Sequence, residues 1–116
     1  MDRATDHEIE LTDRQAFVRA LARGDERAAA HALVGLAVRD PDWRWVQDRC
    51  LALIADPASP LRSLSATCLG HLARIHGTHD AVRVMSALRA MAREKGGGIA
   101  EDALDDIETC VGRRRR

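Results

Sequence analysis

Shifted by 35 residues, the sequence falls back onto itself, and this echo constrains the fold more than any single motif. Arg27 meets Arg62, Val34 meets Leu69 and then Leu104, Gly35 meets Gly70, Ala37 meets Leu72 and then Ile107, and Arg39 meets Arg74. A second set agrees more loosely: Phe17 and Leu21 correspond to Cys50 and Ile54, then to Val84 and Leu88. A unit of this length holds two short helices and a turn. A lone helical hairpin leaves an apolar face uncovered, so consecutive units must stack and share a core. The expected architecture is an all-α, right-handed α-solenoid of about three helical hairpins, with six helices.

Composition makes helix the default. The 116 residues suffice for one domain, burying roughly two thirds of its unfolded surface. Apolar residues make up 46% of the chain, with no Tyr, one Phe and two Trp. Ala, Leu, Val and Ile dominate, and the β-branched and aromatic runs that suit strands are missing. Charges interrupt every apolar stretch, so nothing approaches the roughly 20-residue span of a membrane helix. The amino terminus, MDRATDHEIE, is acidic and has no apolar segment; it is unlike a signal peptide and implies a cytoplasmic location. Cys50, Cys68 and Cys110 lie far apart without C-x-x-C spacing. They are expected as reduced, buried small hydrophobes rather than zinc ligands or disulfide partners.

Helix starts and stops divide the chain into a flexible acidic leader at 1–11, a helical domain at 12–112 and a basic tail at 113–116. TDRQ at 12–15 reads as a capping box opening a helix near 13–23, with Phe17 and Leu21 on one face and Gly24 at its end. Asp25 caps a second helix to about Val38, which turns Ala29, Ala32, Leu33, Leu36 and Ala37 to one side. Asp40, Pro41 and Asp42 stop it and start a third near 43–55, carrying Trp43, Val46, Cys50, Leu53 and Ile54. Ser59 and Pro60 read as the N-cap and first residue of a fourth helix, which runs to His76 before Gly77. Its inward face is Leu61, Leu64, Cys68, Leu69, Leu72 and Ile75. A fifth helix near 80–95 uses Val84, Met85, Leu88 and Met91. After the glycines at 96–98, a sixth near 99–111 uses Ala103, Leu104, Ile107, Cys110 and Val111. Such short turns imply antiparallel neighbours.

Residues 56–72, DPASPLRSLSATCLGHL, follow the pattern D-P-x-x-x-[VL]-R-x-x-A-x-x-x-L-G-x-L nearly position by position. Asp56 and Pro57 break one helix, Ser59 and Pro60 begin the next, and Ala66 and Gly70 are small enough for helix backbones to approach closely. This segment resembles the second helix of a HEAT repeat. Residues 25–39 resemble it with less fidelity, and 99–111 keep its apolar spacing. HEAT repeats usually run to about 40 residues, and tetratricopeptide repeats to about 34, but the Trp, Tyr and Pro positions of the latter are not found here. Asp105 stands where the other two helices have glycine, which suits a terminal repeat with a wet outer face.

The segments DWRWVQDRC and ATCLGHLARIHG look similar to those of small stand-alone HEAT-like bacterial immunity proteins, encoded beside secreted toxins. The resemblance implies a non-catalytic module that covers a toxin's active or substrate-binding surface, one that is basic when the substrate is nucleic acid.

The charged and aromatic residues supply two candidate partner-binding surfaces. Trp43 shares the stripe of Val46 and Cys50 and is expected in the core. Trp45 points to the other side, where with Arg44 and Arg49 it forms an anchor for a partner, Trp and Arg being the types most enriched at interface hot spots. In EDALDDIE, Glu101, Asp105 and Glu108 share one side, with Asp102 and Asp106 beside them. This acidic patch fits a basic protein. The competing class is nucleic-acid binding, which requires Arg14, Arg62, Arg74, Arg83, Arg89 and Arg93 to converge on a concave face. Formal net charge is zero, and the basic excess of residues 14–95, thirteen bases against eight acids, is too thin for a nucleic-acid footprint.

No enzyme, cofactor or metal is expected. Neither a P-loop, a Gly-x-Ser-x-Gly elbow nor a carboxylate pair stands out. His7 and Glu8 lie in the leader. His71, His76 and His79 cluster near one loop after Cys68, but His71 and His76 are five apart on a helix and point along different faces.

Overall fold

The computed structural model describes residues 12–76, 80–94 and 98–115, the last six by their backbone. Thr12 opens it as the N-cap of α1 (Asp13–Ala22). Its hydroxyl accepts the Gln15 N–H at 3.2 Å while the Gln15 side chain accepts the Thr12 N–H at 3.1 Å, completing the capping box. Gly24 ends this helix with φ +72°. The N–H groups of Gly24 and Asp25 close onto the carbonyls of Leu21 and Ala20, at 3.2 and 2.9 Å. A glycine there avoids the left-handed penalty that a side chain would meet. The chain continues as α2 (Glu26–Arg39), α3 (Trp43–Ala55), α4 (Arg62–His76), α5 (Ala81–Ala92) and α6 (Gly98–Arg115). No strand occurs among the described residues.

Two boundaries differ from expectation. Pro60 and Leu61 form a turn, and α4 starts at Arg62. The Ser59 hydroxyl accepts the Leu61 N–H at 3.2 Å, and the first helical bond runs from the Ser65 N–H to the Leu61 carbonyl at 2.9 Å. At the other end, α6 continues through the start of the expected tail to Arg115. The leader at 1–11, Gly77, His79 and Arg116 lie outside the described residues.

Helices pair as α1 with α2, α3 with α4 and α5 with α6, while α2, α4 and α6 also pack in a row and α3 packs on α5. One core runs between the rows. Phe17 and Ala20 enter it from α1, Leu33 and Leu36 from α2, Val46, Cys50 and Ile54 from α3, Cys68, Leu69 and Leu72 from α4, Val84 and Leu88 from α5, and Ala103 and Ile107 from α6. Each large aliphatic buried this way is worth about 1.5–3 kcal/mol.

Burial follows the repeat with a one-residue slip. From α2 to α4 the matching buried positions are Ala32 with Cys68, Leu33 with Leu69, Leu36 with Leu72 and Ala37 with Ala73. From α4 to α6 they are Ser65 with Ala100, Cys68 with Ala103 and Leu72 with Ile107. The 35-residue alignment of Val34 with Leu69 therefore fails: Val34 is 40% exposed and Leu69 is 1% exposed.

Gly35 and Gly70 do different work as well. The Arg39 side chain, bonded to Asp13 at 3.0 and 3.2 Å, folds over Gly35. Gly70 instead faces α6, where an added Cβ would lie 3.8 Å from the Ala103 Cα and 3.6 Å from an Asp106 oxygen. The expectation that Gly70 allows close helix approach holds; its match to Gly35 does not. Leu21 and Ile75, both expected inside, are 42% and 46% exposed, because the core takes Ala20 in α1 and ends at Leu72 and Ala73 in α4.

Candidate protein-binding surface

The α3 amino terminus is built from its own turn. The Asp42 carboxylate caps the helix by accepting the Trp45 N–H at 3.2 Å, and the Asp40 carboxylate accepts the Asp42 N–H at 2.9 Å. Arg14 of α1 then donates Nε and Nη2 to the two Asp40 oxygens at 2.6 and 3.0 Å. The side-chain hydrogen bond from Arg14 holds the Asp40 carboxyl below the usual carboxylate range, while burial works in the opposite sense. This fork leaves the Arg14 guanidinium 4.6 Å above the Trp45 ring.

Arg49, one turn further along α3, lies 5.5 Å from the same ring. Trp45 is half-buried, packed on the core at its inner edge and covered by arginine outside. Trp43 is half-buried too rather than a core residue, and Arg44 lies 4.6 Å over its ring. The sequence grouped Arg44 with Trp45. The helix instead sends Arg44 back onto Trp43, so Arg44 on Trp43 and Arg14 with Arg49 on Trp45 are separate stacks.

Ion pairing separates the arginines into two populations. Arg14, Arg23, Arg39, Arg62 and Arg83 each hold a carboxylate. Arg62 also donates Nε to the Ile54 carbonyl at 2.8 Å, closing the end of α3. Arg14, Arg62 and Arg83 are committed to Asp40, Glu94 and Asp48, and Arg74 contacts His71.

The acidic residues of α6 form the second surface. Glu101, Asp102, Asp105, Asp106 and Glu108 are all exposed, and no ion pair among the described residues involves them. By the α4-to-α6 register, Glu101, Asp105 and Glu108 occupy the positions of Ala66, Gly70 and Ala73, three small residues that are buried on α4. Where α4 presents a close-packing face, α6 presents carboxylates. Asp106 reaches back over Gly70.

Buried polar chemistry lies elsewhere. Cys50 and Cys68 are both buried, and the Cys50 thiol is pushed up by its hydrogen bond to Cys68 and by burial. Burial, then the neighbouring Arg74, lowers the His71 pKa, against the pull of Asp106. Among the described residues no group of three His, Cys, Asp or Glu side chains is arranged to hold a metal. None of their helices is long and apolar enough to cross a membrane.

Two features escaped sequence reasoning: the Arg14–Asp40 clamp, 26 residues apart, and Gln47, whose side-chain oxygen accepts the Asp80 N–H at 2.8 Å. For Gln47 a signal existed in its place between Val46 and Cys50, on the flank of an apolar stripe. Compared with family models, curated proteins and solved structures, the chain matches none.

Proposed function

We propose that this protein is a non-catalytic protein-binding module, built as a right-handed α-solenoid of three HEAT-like hairpins. The row packing of α2, α4 and α6, the packing of α3 on α5, and a shortest dimension of 17 Å, near the thickness of two helix layers, support the solenoid. The partner is a protein. In the role that the resemblance implies, it is a toxin domain with a basic surface, neutralised by occlusion.

The observation that carries this reading is the substitution of a stacking face by Glu101, Asp105 and Glu108. A solenoid that ends on such a face cannot add another repeat of its own kind without burying carboxylates. The same carboxylates attract a basic partner and raise its rate of encounter. Trp45 with Arg49, and Arg44 stacked on Trp43, offer further contacts on α3, of the residue types that dominate interface energetics.

The test is co-purification with the protein encoded immediately upstream, followed by affinity measurement with D105K/D106K. A complex weakened by this charge reversal, in a variant with unchanged circular dichroism, supports the reading. Absence of a protein complex, with recovery of nucleic acid alone, rejects it.

A further inference from the structure

Cys50 of α3 and Cys68 of α4 are both shut off from solvent, at 0% exposure, and neither is in a disulfide. The hairpin brings them to one level. Cys50 stands five residues before the last residue of α3, and Cys68 six after the first residue of α4. With a rise of about 1.5 Å per residue, the two differ by one step in height between paired antiparallel helices. Phe17 and Ala32 stand at the same two steps of the α1–α2 hairpin and are likewise buried. There a large side chain lies at the level of a small one. In the second hairpin two thiols of equal size take these places, and the Cys50 S–H bonds to the Cys68 sulfur.

Packing at this level asks only for apolar volume. Two sulfurs are also too few for the four-ligand site that zinc takes, and among the described residues no group of three His, Cys, Asp or Glu is arranged to hold a metal. Two facing thiols can instead give up two electrons together.

We infer that Cys50 and Cys68 are a latent redox pair, which a peroxide converts into an internal disulfide that fastens α3 to α4 in the folded chain. The inference goes beyond the protein-binding reading and does not depend on it. The bond from Cys50 holds the Cys68 thiol below its ordinary range, against burial, whereas the same bond and then burial push Cys50 up. Thiolate is the attacking form, so Cys68 attacks first. Its attack breaks the O–O bond, releases one water and leaves a sulfenic acid on Cys68. The Cys50 sulfur then displaces that oxygen as a second water. Two thiols have lost two electrons and two protons, and the peroxide has been reduced. The new bond closes residues 50–68 into a loop and restricts the unfolded chain.

The test uses the full chain carrying C110S, which removes the third thiol, reduced and then held for a day in hydrogen peroxide at neutral pH. The oxidant enters as the hairpin opens locally, so the reaction is slower than at an exposed thiol. The expected product is folded, lighter by two hydrogens, and gives a trypsin digest in which peptides 50–62 and 63–74 are joined. Its unfolding constant should fall about thirtyfold or more, and dithiothreitol should restore the reduced value. C50S keeps a hydroxyl donor beside Cys68 and should stop at a sulfenic acid that dimedone traps there.

No joined peptides at unchanged circular dichroism overturns the inference, as does joining that occurs only in urea. A joined chain with a urea midpoint at or below that of the reduced chain overturns it too, because the bond would then distort the native packing. If C110S misfolds, the parent chain is oxidised instead, and a link from Cys110 to Cys50 or Cys68 in place of the Cys50–Cys68 link is the contrary result.

Discussion

The side-chain oxygen of Gln47, midway along α3, accepts the backbone N–H of Asp80 at 2.8 Å and so fixes where α5 begins. Asp80 makes no side-chain cap of its own, and Gln47 is 2% exposed. A glutamine from the previous odd helix thus satisfies one of the N–H groups at the start of the next hairpin. Gln47→Leu keeps the volume and removes the acceptor. We expect a loss of about 1–3 kcal/mol, the cost of leaving a buried donor unpaired. A lower urea midpoint at unchanged slope checks it.

Asp40 ties α1 to the α2–α3 turn and gives stability a defined pH dependence. Its carboxyl is held below the ordinary range by Arg14. A depressed folded value means that the contribution is present above the unfolded value of about 3.9 and disappears as pH falls through the folded one. Asp40→Asn should therefore be less stable than the parent at neutral pH, with the gap narrowing on acidification. Urea midpoints of both proteins across this range give the comparison; a gap independent of pH contradicts the clamp.

Gly24 and Gly70 predict opposite responses to alanine. At Gly24, φ +72° with open space around it makes the cost conformational, about 1 kcal/mol. At Gly70 a methyl group meets only ordinary contacts with Asp106 and Ala103, so Gly70→Ala should be near neutral. Gly70→Leu must push α6 away from α4 and should cost about 1–3 kcal/mol. Thermal or urea unfolding of the three variants ranks them.

The element order was legible in the sequence because caps and breakers are local. Thr12 with Gln15, Asp25, Asp42 and Gly24 act within one turn, and the structure uses each where its neighbours place it. The exact repeat register was not. The helical stripe puts Leu33 on the inner side, whereas the 35-residue echo matches Leu69 with its neighbour Val34, and the two readings conflict. Burial selects Leu33. The α3 surface was half legible: Trp45, Arg44 and Arg49 were singled out, but the stack of Arg44 on Trp43 and the reach of Arg14 from α1 depend on packing between helices.

In the proposed solenoid successive hairpins lie side by side, so that α1 and α5 are two helix spacings apart. Spin labels on Val18→Cys in α1 and Ser86→Cys in α5, both exposed positions, read this by pulsed electron resonance. With neighbouring helices about 8–10 Å apart, a stacked arrangement predicts a separation of about 20 Å between these helices, broadened by the label arms. A distance of about 10 Å, the value for adjacent helices in a closed bundle, would contradict it.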